Sequence, residues 1–242
     1  MAEQEVIKHT KKIFGIWQTK SSFWHKVSEL LLEIFIIVFA ITVSVYFHDR
    51  SELSHQRHET KEFLLGLRKD LLTDIEEMKQ DKKSFIQSGN AFSYIGSRKL
   101  TEKLDPDTLN SYYGAIMNIT GLVPNNGRFE GFKSAGKIGT IENTELQNNI
   151  MDLYQENIPN LLNSTDNYTS KKQALFEFLA LHIKRLSDST TNLIPVLSSD
   201  EAFNRCQTLR FTGEIVERYD ACIQKINLII KAINEEYGQE EK

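Results

Sequence analysis

The residues best placed for chemistry form a polar stripe just after a long apolar run. Its members are His48, Glu52, His55, Glu59 and Glu62. Their spacing of four and three residues puts them on one face of a helix. Imidazole and carboxylate groups on one face are weak candidates for a transition-metal site, or for titration together near neutral pH. Since the stripe lies about 130° around the helix from the apolar stripe beginning at Leu53, we expect mainly a solvated surface, or else a partner-docking face.

Two further patterns could indicate nucleotide binding or catalysis. The segment from Gly131 to Ile138 follows the phosphate-binding pattern up to Gly136 and Lys137, but Ile138 cannot ligate magnesium and no buried strand precedes it. His182 is the one histidine far along the chain, where it neighbours Leu179 and Ile183, and we expect a core or boundary residue there. The sequence therefore predicts no enzyme, no nucleotide site and no cofactor.

Composition excludes other classes of function. A net charge of −4 and scattered lysines give no basic patch, so nucleic acid is not an expected partner. The two cysteines, Cys206 and Cys222, are separated by 15 residues. They are compatible either with a disulfide across a helical hairpin or with two buried thiols.

The elements that must position these residues begin with a membrane span. Residues 30–47 contain 13 Leu, Ile, Val or Phe among 18 positions and a single charge. Each apolar residue contributes about −0.3 to −0.6 kcal/mol to insertion, whereas one carboxylate costs about 3 kcal/mol or less near the edge. Insertion is favoured, and we predict a transmembrane helix over residues 27–48. A cleaved signal peptide is the alternative, but the polar lead is long and no small-x-small cleavage site follows the run.

Flanking charges indicate the orientation of this span. Five lysines precede it, whereas three basic residues follow it within a similar distance, namely Arg50, Arg57 and Lys61. The excess predicts a cytoplasmic N-terminal segment over residues 1–26. Inside the span, Glu33 is a carboxylate at membrane depth, which either pairs with another subunit, titrates as a proton site, or simply reaches the headgroup region.

Helical periodicity dominates the rest of the chain. The first helix should continue to about Gln87 and break at residues 88–90, and Asp105 followed by Pro106 should start the next helix. A long helix should begin at Asn143, with a kink at Pro159.

The C-terminal part of the chain should hold a loop and two more helices. Residues 187–199 should form a loop, followed by a short helix capped by Ser199 or Asp200. A heptad-like seam in the last helix favours packing in a bundle over a two-stranded coiled coil. Its members are Ile215, Tyr219, Cys222, Ile226, Ile229 and Ile233. The predicted class is all-α, a transmembrane helix continuing into an antiparallel helical bundle over residues 49–242.

Two stretches resemble an uncharacterised family of single-span membrane proteins from Bacteroidota. The first joins Glu33-Ile-Phe-Ile-Ile-Val-Phe-Ala to Phe63-Leu-Leu-Gly-Leu-Arg-Lys-Asp-Leu; the second runs from Arg128-Phe-Glu-Gly-Phe-Lys-Ser-Ala-Gly to Asp152-Leu-Tyr. The exit from the span, Tyr46-Phe-His-Asp, differs from the amide-rich end of that family. The resemblance implies a bacterial inner-membrane anchor with a periplasmic helical domain and transfers no active site.

These features together predict a non-enzymatic, membrane-anchored interaction or scaffold protein. Its partners would be the lipid bilayer and either a second copy or another membrane protein. The alternative is a membrane-anchored ligand sensor, in which Tyr112, Tyr113 and Tyr154 could line a pocket.

Overall fold

The computed structural model describes residues 23–99, 101–187 and 190–238. Within these ranges the chain is all-helical, as predicted, and holds no strand beyond one isolated bridge between Arg185 and Thr191. The α-helices are α1 (Phe23–Gly96), α2 (Pro106–Ser111), α3 (Tyr113–Met117), α4 (Gly127–Ser134), α5 (Thr144–Asp152), α6 (Ile158–His182), α7 (Leu193–Leu197), α8 (Asp200–Leu209) and α9 (Gly213–Tyr237). A 3-10 turn covers Ile138–Thr140, and a π-helical turn covers Leu153–Asn157.

The chain divides into two compact units, residues 1–58 and 59–242. In the first unit, the described apolar part of α1 buries none of its side chains. Among the described helices, this is the one long and apolar enough to cross a membrane. A single long apolar N-terminal helix is thereby confirmed.

Helix α1 ends at Gly96, beyond the predicted end at Gln87. The break expected at residues 88–90 is wrong because Gly89 serves packing inside the helix. A Cβ at Gly89 would collide with the Thr212 side chain, and one at Gly96 would lie 3.2 Å from the Gln207 backbone nitrogen. Both glycines let α1 approach the chain around α8 closely, and this contact outweighs their low helix propensity.

The core of the second unit lies along a seam on α1 with alternating spacings of four and three residues. The seam is formed by Thr60, Leu64, Leu67, Leu71, Asp74, Met78, Asp81, Phe85, Ser88, Phe92 and Ile95, all of which are buried. Helix α9 packs against α1 in the opposite direction, since Tyr219 bonds Asp81 at 3.1 Å and Asn234 bonds Arg68 at 2.8 Å. All six predicted seam residues of α9 are buried within the second unit, which supports the predicted packing of this seam in a bundle.

The second long rod is formed by α5, the π-helical turn and α6. It runs in the same direction as α1, because Thr140 just before it bonds Thr60 and Tyr168 packs edge-on against Phe85. Pro159 cannot donate a backbone hydrogen bond, and the helix accommodates this loss by widening just before it. Ile158 N–H donates to Leu153 O, five residues back, as in a π-helix.

Three predicted helix starts are confirmed by their caps. Asp105 accepts from Thr108 N at 2.8 Å, Asn143 from Leu146 N at 3.0 Å, and Ser199 from Ala202 N at 3.3 Å. The loop predicted over residues 187–199 is wrong in part, because its second half forms the short helix α7, which buries Val196 and Leu197. Burial of two apolar side chains there overrides the loop-like composition.

Candidate functional site

A row of four carboxylates on α1 holds an irregular segment that returns along this helix. The row is Asp70, Asp74, Glu77 and Asp81, spaced by four, three and four residues. Each carboxylate bonds a different residue of segment 118–128. The chain in this stretch has no regular secondary structure and is fixed by acidic side chains; we call residues 118–126 the pinned segment.

The contacts of the row combine an ion pair with hydrogen bonds from neutral donors to the carboxylates. Arg128 Nε donates to Asp70 at 2.9 Å, and its guanidinium covers Gly66, where a Cβ would overlap it. Asn125 Nδ2 donates to Asp74 at 2.6 Å, and Val123 N donates to Glu77 at 3.0 Å. These bonds run from one turn of α1 before Asp74 to two turns after it, so they fix the path of the segment from Thr120 to Asn125.

Asp74 and Asp81 are the buried members of this row. Burial raises the pKa of Asp74 above its ordinary 3.8, against the opposing effect of its hydrogen bonds from Asn125. Asp81 accepts from the Thr120 hydroxyl on one oxygen and from Tyr219 on the other, at 3.1 Å. Both carboxylates thus accept hydrogen bonds from within the fold, and neither is positioned as a catalytic acid or base.

The pinned segment turns two large apolar side chains outward. Leu122 points into the core and is 5% exposed, whereas Ile119 and Val123 are 51% and 76% exposed. Single exposed apolar residues are ordinary on any protein. Here, however, two of them lie on a segment whose backbone and polar side chains are bonded to one helix face.

Lys172 lies behind α3, on the side that faces away from solvent, and is 2% exposed. Its Nζ donates to Ala115 O at 2.9 Å and to Asn118 O, and so satisfies carbonyls at the C-terminal end of α3. No carboxylate forms an ion pair with it within the described ranges. Burial lowers the pKa of Lys172 from 10.5 to about 8.

A polar cleft of about 500 Å³ lies between α1 and residues 111–120. Its lining residues are Ser84, Gln87, Ser88, Asn90, Ser111, Tyr112, Gly114, Ala115, Asn118, Ile119 and Thr120. None of them is charged. Two hydrogen bonds to the Ala115 carbonyl fix the wall formed by α3. One comes from Lys172, and the other comes from the Ser88 hydroxyl at 3.0 Å. The volume falls in the range of small-molecule sites, although the lining is more polar than usual.

The polar stripe does not assemble into a metal site. His48, Glu52 and His55 are exposed in the first unit, where Glu52 accepts from Gln56 at 3.2 Å. Glu59, in the second unit, pairs with Lys137 at 2.8 Å. Across the described part of the chain, no group of three or more His, Cys, Asp or Glu side chains could hold a metal ion.

Neither Glu33 nor the cysteine pair belongs to a cluster of reactive side chains in the described structure. Glu33 lies partly exposed on α1 in the first unit. Cys206 and Cys222 are free and fully buried, so the disulfide alternative is not the arrangement found. Burial raises the pKa of the Cys206 thiol to about 12 and that of Cys222 to about 11, which leaves both thiols protonated and unreactive.

The remaining candidates are dispersed. The segment that partly matches the phosphate-binding pattern lies in α4 and the following turn, where Gly136 adopts φ +70°. Lys137 forms an ion pair with Glu59. His182 is exposed rather than in the core, because α6 ends there; its Nδ1 lies 2.8 Å from Phe178 O. Of the three tyrosines, Tyr112 lines the cleft, Tyr113 is exposed and Tyr154 is buried against Phe129.

The carboxylate row and Lys172 were missed by sequence reasoning, although a signal was present. Asp74 and Asp81 occupy apolar seam positions of α1 seven residues apart, and Lys172 lies between Tyr168 and Leu175 in the apolar stripe of α6. A charged residue at such a position predicts a buried polar contact, because burial without a partner is costly.

Comparisons of the chain with family models, with curated proteins and with solved structures find no match.

Proposed function

We propose that this protein is a non-enzymatic interaction or scaffold subunit anchored in the bacterial inner membrane by α1. The observation that carries the proposal is the pinned segment, which presents Ile119 and Val123 to solvent on a backbone fixed by the carboxylate row. A preorganised apolar surface loses little conformational entropy when it docks. The partner in this proposal is another membrane protein with an apolar surface.

The C-terminal seam of α9 does not support an intermolecular role. Its six residues are buried within the second unit, so none of them is available to a second copy or another partner. The polar contacts around it, such as Lys82 with Asp220 at 2.5 Å, are also internal. The interaction proposal therefore rests on the pinned segment.

Membrane insertion is supported by the hydrogen bonding of the apolar part of α1. The Thr42 hydroxyl donates to Val38 O at 2.8 Å, which satisfies a polar group that lipid could not. At the far end of the span, Arg50 donates to the Tyr46 hydroxyl at 3.2 Å, a pairing suited to the headgroup region. The lysine excess before the span and the family resemblance favour a cytoplasmic N-terminus and a periplasmic helical domain.

A photo-crosslinking amino acid at position 123 tests the interaction. We expect a discrete crosslinked product in native membranes, and we expect Ile119→Ser to weaken it, since both exposed side chains would belong to one contact. The same photo-reactive residue at Leu228, which is 54% exposed on α9, is the matched control and should give no product. Equal crosslinking at both positions, or none at position 123, would contradict the proposal.

The orientation is tested by a single introduced thiol. Because both native cysteines are buried and protonated, Ser170→Cys, at an exposed site on α6, should be the reactive thiol of the helical domain. We expect a membrane-impermeant maleimide to label it once the outer membrane is permeabilised. Ser21→Cys, before the span, should react only after the inner membrane is lysed. The reverse pattern would refute the orientation.

A further inference from the structure

We propose that the polar cleft between α1 and residues 111–120 binds a neutral saccharide. This goes beyond the scaffold role, which concerns the exposed apolar side chains of the pinned segment. The cleft's hydrogen-bonding inventory, its charge and its aromatic wall all favour this ligand class.

The first argument is the supply of unused hydrogen-bonding groups. The side-chain amides of Gln87, Asn90 and Asn118 line the cleft and make no hydrogen bond within the described part of the chain. Each amide offers two donors and an acceptor. The hydroxyls of Ser84 and Ser111 donate to backbone carbonyls, at 3.1 and 2.6 Å, and so keep their acceptor lone pairs for a ligand. A saccharide, whose hydroxyls both donate and accept, matches such a lining.

The second argument is electrostatic. None of the lining side chains carries a charge. Two ionised groups that bond lining residues are already occupied: Lys172 bonds the carbonyls of Ala115 and Asn118 behind the wall, and Asp81 bonds Thr120 and Tyr219. A charged ligand would lose hydration without gaining an ion pair, which disfavours phosphates, carboxylates and amines.

The third argument is the aromatic wall. Tyr112 lines the cleft, and its ring lies 5.8 Å from that of Tyr94, tilted by 39°. An aromatic ring with a polar edge can pack against the C–H face of a sugar while its hydroxyl stays available for hydrogen bonding. Lys172 and Ser88 hold α3 in place through the Ala115 carbonyl, so Tyr112 is presented from a fixed wall.

Saturation-transfer NMR on the full-length chain in nanodiscs tests the proposal. The probes are maltotriose and triacetylchitotriose, at concentrations up to about 10 mM to reach the weak end of specific binding. Trigalacturonate is the control ligand, because it has sugar rings but carries carboxylates. We expect saturation transfer to at least one neutral trisaccharide and none to trigalacturonate.

Matched variants locate the binding. Gln87→Ala with Asn90→Ala removes two exposed amides from the cleft, and we expect about tenfold weaker binding from the lost hydrogen bonds. Gln80→Ala, exposed on the same helix outside the cleft, should bind as the unaltered chain does. Circular dichroism checks that both variants stay folded. No transfer to either neutral probe, equal transfer to trigalacturonate, or binding unchanged by the double substitution would each overturn the proposal.

Discussion

Replacing Lys172 by Met should make the stability difference between variant and unaltered chain depend on pH in one defined window. Burial lowers the pKa of this ammonium from 10.5 to about 8 in the folded chain. Between these two values the unfolded chain binds the proton that the folded chain has released. Stability contributed by this group therefore rises with pH from about 8 to 10.5.

The magnitude follows from the two pKa values. A fall from 10.5 to about 8 corresponds to about 3 kcal/mol at about 1.4 kcal/mol for each pKa unit. Solvent screening reduces this figure, and the carbonyls of Ala115 and Asn118 stabilise the ammonium. We therefore expect the cost of Lys172→Met in free energy of unfolding to increase by about 1–2 kcal/mol on going from pH 7 to pH 10.

The physical reason lies in what the substitution removes. Near pH 7, Met abolishes the desolvation cost of the ammonium but leaves the Asn118 carbonyl without its Lys172 donor, so the two effects partly cancel. Near pH 10 the folded amine is mostly neutral and no longer carries the desolvation cost. Only the loss of the hydrogen bonds then remains.

The comparison must be between variants because other groups titrate in the opposite direction. The raised pKa values of Cys206 and Cys222, about 12 and about 11, mean that the unfolded chain releases those protons first. Their contribution to stability falls as pH rises above the ordinary thiol value of 9.0. Subtracting the unaltered chain from Lys172→Met cancels this common change.

Urea unfolding of the full-length chain in detergent micelles, followed by circular dichroism at several pH values, measures the effect. Lys171→Met is the matched control, since Lys171 is the exposed neighbour on the same helix, and its cost should not change with pH. A pH-independent difference for Lys172→Met, or an equal pH dependence for Lys171→Met, would refute the assignment of a buried, depressed lysine.

Two further substitutions test the packing and the carboxylate row by the same unfolding measurement, and thiol labelling tests the burial of the two cysteines. Gly66→Ala should lower the free energy of unfolding by about 1 kcal/mol, because the new Cβ displaces Arg128 from Asp70. Its control is Gly131→Ala, which has open space around the new Cβ and should leave the free energy of unfolding unchanged or raise it by about 0.5 kcal/mol. The opposite ranking of the two variants would count against the Arg128 contact. Asp81→Ala should lower the free energy of unfolding by about 2–3 kcal/mol, because it leaves the buried Tyr219 hydroxyl without its acceptor. The control Glu76→Ala, at an exposed position, should lower it by less than about 0.5 kcal/mol. Equal losses would show that the row does not hold the fold. Native Cys206 and Cys222 should resist maleimide at pH 8 and react on unfolding, and rapid labelling of the folded chain would contradict their burial.

Local pattern alone determined the apolar span, the helical class, the caps at Asp105, Asn143 and Ser199, and the buried seam of α9. Each depends on residues near one another in the chain: the length of an apolar run, a side chain three residues from a backbone N–H, or a repeat of 3.5 residues. The partner that the α9 seam meets is not a local property. Its burial inside the chain follows from where α1 and α5 lie, so that face is not available to a second copy.

Tertiary contacts decided the remaining features. Gly89 reads locally as a helix break, but close approach to Thr212 keeps it helical. From the sequence, Lys172 would be expected at the surface. The carbonyls that accept its hydrogen bonds, however, belong to residues more than 50 positions earlier in the chain. The polar cleft likewise joins two segments of the chain that only the folded structure brings together. The sequence thus determined the helical class and the apolar stripes, whereas the folded chain alone decided where some helices end, which polar groups meet and which remain available for a ligand.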